Sequence, residues 1–189
     1  MTRIIAGVAR GRRLQVPAGE VTRPTSDRAR EGLFSSLQSL ADVEDARFLD
    51  LYAGSGAVGL EALSRGAAST TLVEDDPLAL NAIRDNIAAV GLPEAHVVPM
   101  TAERFLAADA EPRYEIAFLD PPYDHDVAPA LAALVPWLTE DAVVAVERRT
   151  RDGELSWPDG LAAERSRRYG EATIWYAARS GSAASVTEP

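Results

Sequence analysis

Two short motifs in this sequence of 189 residues combine residue types that can act on a bound ligand. The first is Gly54-Ser55-Gly56-Ala57-Val58-Gly59, with Asp50 four residues before it and Glu74 20 residues after its first glycine. The second is Asp120-Pro121-Pro122-Tyr123. The first motif has the spacing of a dinucleotide fingerprint, in which glycines let the backbone approach a ligand and an acid accepts hydrogen bonds from ribose.

Asp50 decides between two ligand classes for the glycine motif. A carboxylate beneath the loop repels a pyrophosphate, whereas it attracts the ammonium and sulfonium groups of S-adenosylmethionine. The sequence therefore favours S-adenosylmethionine over NAD. The alternative is that Asp50 caps a helix or a turn, and its position among apolar neighbours in a predicted strand makes this the weaker interpretation.

The Asp-Pro-Pro-Tyr motif is suited to binding an amine. Its two prolines lack an N–H and restrict the backbone, so the Asp120 side chain and the Pro121 carbonyl can both accept hydrogen bonds from one –NH₂ group. Tyr123 can stack on a flat heterocycle. Two acceptors would orient the amine lone pair and stabilise the positive charge that develops on nitrogen. The motif predicts methylation of an exocyclic amine on a base outside its stack. The alternative is that the two prolines only form a rigid loop after the strand, with Tyr123 packed against it. We reject this alternative because the glycine motif with Asp50 is present in the same sequence.

The remaining sequence alternates between strand and helix patterns. Strands are predicted at 48–52, 70–73, 96–99, 116–119, 143–146, 163–168 and 173–177. Helices are predicted at 29–40, 56–65, 77–90, 101–108 and 127–138, the first capped by Ser26. This alternation predicts an α/β fold with a Rossmann-like, seven-stranded, mostly parallel, doubly wound sheet. Both motifs directly follow a strand, so they should converge on one crevice.

Charge is distributed unevenly along the chain. The 19 basic residues are all arginines; residues 1–30 have a balance of +5 and residues 31–189 a balance of −15. Two β-prone runs flank Ala9-Arg10-Gly11-Arg12, which predicts a basic hairpin arm over residues 1–25. A methyltransferase domain over 26–179 and a disordered tail over 180–189 complete the predicted organisation. Arginine binds phosphate in a bidentate manner, so we expect the arm to contact RNA. The predicted RNA-binding residues are Arg3, Arg10, Arg12, Arg13, Arg23, Arg28 and Arg30.

Several chemistries are excluded by composition. The chain has no cysteine and no lysine, which rules out thiolate metal sites, iron–sulfur clusters and a lysine Schiff base. His96 and His125 lack the spacing of a metal site, so no metal is predicted. No targeting segment or membrane span is predicted either. These observations indicate a cytoplasmic monomer.

Four segments together resemble the RsmD family of bacterial 16S rRNA guanine-N2 methyltransferases. They are RIIAGVARGRRL, RPTSDRAREGLFSSL, FLDLYAGSGAVGLEALSRGA and DPPY, and the likeness runs from Arg3 to about Ala178. The resemblance implies S-adenosyl-L-methionine as the cofactor. It implies 16S rRNA, within the small ribosomal subunit or its assembly intermediate, as the partner.

The resemblance also implies site residues. The methionine end of the cofactor would be held by Asp50, Gly54, Ser55 and Gly56, and the ribose by Glu74. Thr101 and Ala102 stand where the family contacts the adenine, although the family usually has Asp or Asn at the first of these positions. The full set of predicted cofactor residues is Asp50, Ala53, Gly54, Ser55, Gly56, Glu74, Asp75, Thr101 and Ala102. The predicted catalytic residues are Asp120, Pro121 and Tyr123.

Other functions remain open on the sequence alone. A DNA adenine-N6 or protein glutamine methyltransferase would use the same amine site, but the basic hairpin favours nucleic acid and no domain for recognising a DNA target is evident. An NAD-dependent oxidoreductase would need a hydride-transfer acid or base such as a Tyr/Lys pair, and the chain has no lysine. A non-catalytic RNA-binding module would not need the intact Asp120 and glycine motif.

Overall fold

A computed structural model describes residues 2–17 and 27–181 of the chain. Its strands are Thr2–Arg3 (β1), Arg13–Leu14 (β2), Arg47–Leu51 (β3), Ser69–Glu74 (β4), Ala95–Pro99 (β5), Tyr114–Leu119 (β6), Leu138–Arg149 (β7), Leu161–Tyr169 (β8) and Ala172–Arg179 (β9). Its α-helices are Asp27–Leu37 (α1), Ala57–Ser64 (α2), Pro77–Val90 (α3), Ala102–Leu106 (α4) and Ala128–Leu134 (α5). Turns of 3₁₀ helix cover Val135–Trp137 and Thr150–Asp152.

The main sheet has seven strands in the order β5-β4-β3-β6-β7-β9-β8. The pairs among β5, β4, β3, β6 and β7 are parallel, and β9 pairs antiparallel with both β7 and β8. The prediction of a mostly parallel, doubly wound sheet is therefore confirmed. β3 and β6 lie side by side at its centre, so the two motifs that follow them emerge together.

Successive residues of a strand point to opposite faces, and the two cores follow that alternation. Phe48 of β3 packs on the face covered by the hairpin, α1 and α2. Leu49 packs on the other face, with Phe105 of α4 and Leu131 of α5. The phenylalanine ring of α4 also stacks on Trp137, with ring centroids 4.7 Å apart. The centre of the sheet is thus buried on both faces, which fixes the positions of its strand ends.

Most predicted elements are confirmed, with differences at their ends. Asp76 caps α3 by accepting hydrogen bonds from the N–H groups of Leu78 and Ala79, and Gly91 ends the helix with a φ of 74°. The helix predicted at 127–138 is shorter, because α5 gives way to a 3₁₀ turn that contains Pro136. Strand β7 is longer than predicted, since Leu138 pairs with Tyr114 ahead of an irregularity in the register. Ser26, the predicted cap of the first helix, lies outside the described residues.

The predicted hairpin is present, with β1 and β2 pairing antiparallel, but it is packed into the domain. Its residues Ile4, Ala9 and Leu14 belong to the same buried cluster as α1 and α2. The Glu61 carboxylate of α2 is buried and accepts hydrogen bonds from the Ile5 and Ala6 N–H groups at 2.8 and 2.9 Å. Of the arm predicted over residues 1–25, residues 2–14 thus form a hairpin that is docked on the domain, and this segment is the hairpin arm.

The prediction that Arg30 contacts RNA is wrong. The residue is completely buried, and its guanidinium donates hydrogen bonds to the Arg3 carbonyl at 2.5 Å and to Asp27 Oδ1 at 3.0 Å. Its Nε lies 3.6 Å from the buried Glu61 carboxylate. Arg30 therefore joins α1 to the hairpin arm and to α2. No helix in the described part of the chain has the length and apolar character needed to cross a membrane.

Candidate active site at the carboxyl edge of the sheet

The carboxyl edge is the edge of the sheet at which the parallel strands end, and the glycine loop, residues 54–59, lies there. The Gly54 N–H donates to Glu74 Oε2 at 2.8 Å, and the Gly56 N–H donates to the Ala53 carbonyl at 2.7 Å. The Gly59 N–H donates to Asp50 Oδ2 at 2.9 Å. Each glycine of the fingerprint therefore gives its N–H to an acceptor within the protein.

Asp50 is a buried helix cap. Its residue surface is 1% exposed, and its carboxylate binds the N–H in the first turn of α2. Burial raises the pKa of the Asp50 carboxyl well above its ordinary value; the hydrogen bond from Gly59 opposes this effect, and the charge of Glu74 adds to it. The structure therefore shows the capping contact that the sequence offered as the weaker alternative, and the predicted cofactor contact of Asp50 stays a prediction. Asp50 points to the same face of β3 as Phe48, where α2 begins, so an apolar neighbourhood and a capping role coexist.

Glu74, at the end of β4, gathers three backbone N–H groups. Besides Gly54, its Oε1 accepts hydrogen bonds from Asp75 and Asp76, both at 2.9 Å. An ionised carboxylate offers about four lone-pair positions, so capacity remains for a ligand hydroxyl. The side chain joins the ends of two adjacent strands. The predicted ribose contact of Glu74 stays a prediction, and the geometry leaves room for it.

Thr101 and Ala102 follow β5 at the same edge. The Thr101 Oγ1 accepts a hydrogen bond from the Arg104 N–H at 3.2 Å and thereby caps α4. Ala102 is buried. The adenine contact predicted for these two residues stays a prediction.

The Asp-Pro-Pro-Tyr loop, residues 120–123, follows β6 and lies directly beside β3. The Asp120 N–H donates to the Leu51 carbonyl at 3.5 Å, which joins the two motif-bearing strand ends. Pro121 is buried, Asp120 is half-buried and Tyr123 is 37% exposed. The two motifs therefore lie at adjacent strand ends, as predicted, and the crevice between them stays a prediction.

Two arginines at the end of β7 contact this loop, and the sequence analysis missed both. The Arg149 guanidinium carbon lies 3.5 Å from the centroid of the Tyr123 ring. Arg148 donates hydrogen bonds to the Tyr123 carbonyl at 3.1 Å and to the Pro122 carbonyl at 3.5 Å. Their place at the carboxyl edge could have been inferred, because they follow the predicted strand at 143–146 by two and three residues, but their contact with the loop depends on the strand order.

Tyr52, Glu103 and His125 form a second missed group between the glycine loop and the Asp-Pro-Pro-Tyr loop. The Tyr52 hydroxyl donates to Glu103 Oε1 at 2.9 Å, and His125 Nε2 lies 3.1 Å from that oxygen and 3.2 Å from the hydroxyl. Burial raises the pKa of Tyr52, and the hydrogen bond to Glu103 adds to the shift. Burial also opposes ionisation of Glu103, but its hydrogen bonds, including the one from Tyr52, bring its pKa below the ordinary value. The group joins α4 to the residue that follows β3 and to the residues that follow Tyr123.

Most of the arginines predicted to contact RNA are exposed. Arg3, Arg10, Arg12 and Arg13 are exposed on the hairpin arm, and Arg28 is exposed on α1. Arg23 lies outside the described residues. These five exposed arginines are available to a polyanion at the surface.

Known proteins match this chain over most of its length. Residues 2–178 match the family model described as Conserved hypothetical protein 95. The chain is 39% identical to Ribosomal RNA small subunit methyltransferase D of Escherichia coli (strain K12) over 172 residues, which cover 89% of this chain and 85% of the relative. It is 36% identical to the protein of the same name from Haemophilus influenzae, with 83% of each chain covered. A solved Escherichia coli structure has a TM-score of 0.84 and 38% identity, with 95% of this chain and 98% of that one covered.

Proposed function

Because the chain belongs to the RsmD family, whose model spans residues 2–178, we propose that it is an S-adenosylmethionine-dependent rRNA methyltransferase. The acceptor is the exocyclic N2 amine of one guanine in 16S rRNA. The substrate is the small ribosomal subunit or an assembly intermediate, on which the protein acts as a monomer in the bacterial cytoplasm. Relatives named as small-subunit rRNA methyltransferases support the choice of RNA.

The single observation that carries the choice of cofactor is the use of the glycine N–H groups. A dinucleotide binds at such a loop because free N–H groups at a helix N-terminus hold its pyrophosphate. Here the N–H groups of Gly54 and Gly59 donate instead to the carboxylates of Glu74 and Asp50. These N–H groups are therefore not free to hold a phosphate, and the Glu74 carboxylate beside the loop favours a cation. The residues present therefore fit S-adenosylmethionine.

The amine site acts by orienting and polarising the acceptor. When bound, S-adenosylmethionine supplies an electrophilic methyl group on a sulfonium. The Asp120 carboxylate and the Pro121 carbonyl each accept a hydrogen bond from the guanine amine, which directs its lone pair towards that group. The Asp120 carboxylate stabilises the positive charge that develops on nitrogen. Tyr123 stacks on the base once it has left its helix.

The hairpin arm supports binding of the RNA backbone. Its exposed arginines, Arg3, Arg10, Arg12 and Arg13, stand on a rigid element because the arm is packed into the core. Arginine suits phosphate by its bidentate geometry. A positive surface of this kind contributes affinity for RNA without reading its sequence.

The proposal is tested by mapping methylated nucleotides in 16S rRNA. Small subunits lacking the modification are incubated with the protein and S-adenosylmethionine, and the rRNA is digested and analysed by mass spectrometry. We expect one N2-methylguanine at one position. Free 16S rRNA and a DNA duplex serve as parallel substrates. Methylation of adenine in the DNA, with none in the subunits, would overturn the assignment.

A further inference from the structure

The carboxyl end of β7 contacts the Asp-Pro-Pro-Tyr loop. Arg148 and Arg149 are its last two residues, and they pair with Thr173 and Ala172 of β9. Successive strand residues point to opposite faces. One of these side chains nevertheless reaches the backbone of the loop, and the other reaches the Tyr123 ring. The loop is therefore gripped at two separate points by one strand end.

Arg148 compensates for hydrogen bonds that the loop cannot make for itself. Pro121 and Pro122 have no N–H, so this part of the backbone cannot be anchored by its own donors. Arg148 instead donates to the carbonyls of Pro122 and Tyr123. The Pro122 carbonyl also accepts a hydrogen bond from the His125 N–H at 2.9 Å. These contacts fix the peptide planes that follow Pro121, whose carbonyl is assigned to the amine.

Arg149 orients the aromatic ring. Its guanidinium lies over the face of Tyr123, an arrangement in which the cation is attracted to the ring. The tyrosine residue remains 37% exposed with the guanidinium in place. The ring is thus held at a set angle before a base arrives, and less freedom is lost when it stacks.

We propose that Arg148 and Arg149 are positioning residues for the target base, which act by holding the Asp-Pro-Pro-Tyr loop and the Tyr123 ring in the geometry for amine methylation. The inference rests on the proposed function. Direct binding of an RNA phosphate is the competing role for two such arginines. It is disfavoured for Arg148, because that side chain is 14% exposed, donates to two carbonyls and lies 3.6 Å from Asp152.

The test compares Arg148→Ala and Arg149→Ala with Arg151→Ala. Arg151 is exposed in the turn that follows β7, so its replacement removes the same charge nearby. Methyl transfer to small subunits lacking the modification is measured at varied subunit concentrations. For Arg148→Ala and Arg149→Ala we expect kcat to fall by about 10- to 100-fold, the usual cost of misplacing a reacting group by about 1 Å. KM for the subunits and cofactor affinity by calorimetry should stay near the wild-type values, and Arg151→Ala should match wild type.

An increased KM with unchanged kcat in the two variants would overturn the proposal and assign the arginines to RNA backbone binding. Hydrogen–deuterium exchange gives a second readout that does not depend on turnover. We expect faster exchange at the Tyr123, Asp124 and His125 amides in Arg148→Ala than in Arg151→Ala. Equal exchange in the two would also overturn the proposal. A wild-type protein that methylates no subunit would contradict the proposed function alone, since the exchange result stands independently.

Discussion

The carboxyl edge has a cofactor half, formed by the glycine loop and Glu74, and a substrate half, formed by the Asp-Pro-Pro-Tyr loop and the end of β7. Side chains of opposite charge hold the two halves in place. In the cofactor half, carboxylates gather backbone N–H groups, as Glu74 does with the glycine loop. In the substrate half, an arginine gathers backbone carbonyls, as Arg148 does with the Asp-Pro-Pro-Tyr loop. In both halves a charged side chain ties a loop to a strand end, with the sign of the charge matched to the backbone groups that it binds.

The two halves also differ in burial. Asp50 is 1% exposed and supports the first turn of a helix, whereas Tyr123 is 37% exposed and lies in a loop, where the Arg149 guanidinium contacts its ring. Close-packed regions resist change in volume and charge, while exposed ones tolerate it. Substitutions in the cofactor half should therefore affect stability, and those in the substrate half should affect turnover.

The largest expected effect is on turnover in the substrate half. Asp120→Ala should reduce methyl transfer by about a thousandfold or more, because it removes one acceptor of the amine and the charge that stabilises the developing cation. Cofactor binding should remain close to wild type. Transfer of a labelled methyl group and calorimetry measure the two quantities, with the exposed Asp124→Ala as the control. Loss of cofactor affinity with normal turnover at saturation would contradict the assigned role.

The next effect is on stability in the cofactor half. A Cβ at Gly59 would lie 2.4 Å from Leu72 Cδ2 and 2.6 Å from Thr70 Oγ1, so Gly59→Ala should lower the free energy of unfolding by about 1–3 kcal/mol through overpacking. Tyr123→Ala in the other half should stay within about 0.5 kcal/mol of wild type. Urea denaturation measures both. Gly181→Ala is the matched control, since a Cβ there meets nothing within 4 Å. Equal losses in the two halves would break the comparison.

A smaller effect concerns RNA affinity away from the edge. Replacing the exposed residues Arg10, Arg12 and Arg13 together by alanine should weaken binding of 16S rRNA. The slope of log K against log salt concentration should become smaller in magnitude by about 2, because each phosphate contact releases counterions. Fluorescence anisotropy over a range of salt concentrations measures the slope. Alanine replacement of Arg165, Arg167 and Arg168 on β8 removes the same charge as a control. An unchanged slope in the arm variant would refute the role of the arm.

The smallest effect is the pH dependence that Asp50 contributes. Its raised pKa means that the folded protein holds the Asp50 proton more tightly than the unfolded chain does. The resulting stabilisation is complete below pH 3.8, the ordinary pKa of the group, and is lost as the pH rises through the pKa of the folded protein. Asparagine has no carboxyl proton to titrate. Over the same increase in pH, the melting temperature of Asp50→Asn should therefore fall less than that of wild type. Asp85→Asn, an exposed position on α3, is the control. Parallel curves for wild type and Asp50→Asn would contradict the assignment.

Local sequence patterns predicted the elements and the meeting of the two motifs, because periodicity, caps and strand ends depend on neighbouring residues. The role of Arg30 escaped, since its burial depends on Glu61, which is 31 residues later. The cap formed by Asp50 was considered but ranked lower for a different reason: its apolar neighbours in β3 do not reveal that the first turn of α2 lies above the same face of the strand. The grip of Arg149 on Tyr123 joins two strand ends and became visible only with the strand order.

The docking of the hairpin arm also has a consequence for the order of folding. Gly7 lies so close to α2 that a Cβ would fall 1.6 Å from the Ser64 carbonyl oxygen, and the Val8 N–H donates to that same oxygen at 2.8 Å. The hairpin arm thus finds its partners in α2 only after more than 50 further residues have been synthesised. Closing such a long loop is slow compared with local folding. The arginines of the arm therefore remain on an unanchored nascent segment, beside the ribosome itself, until α2 has emerged.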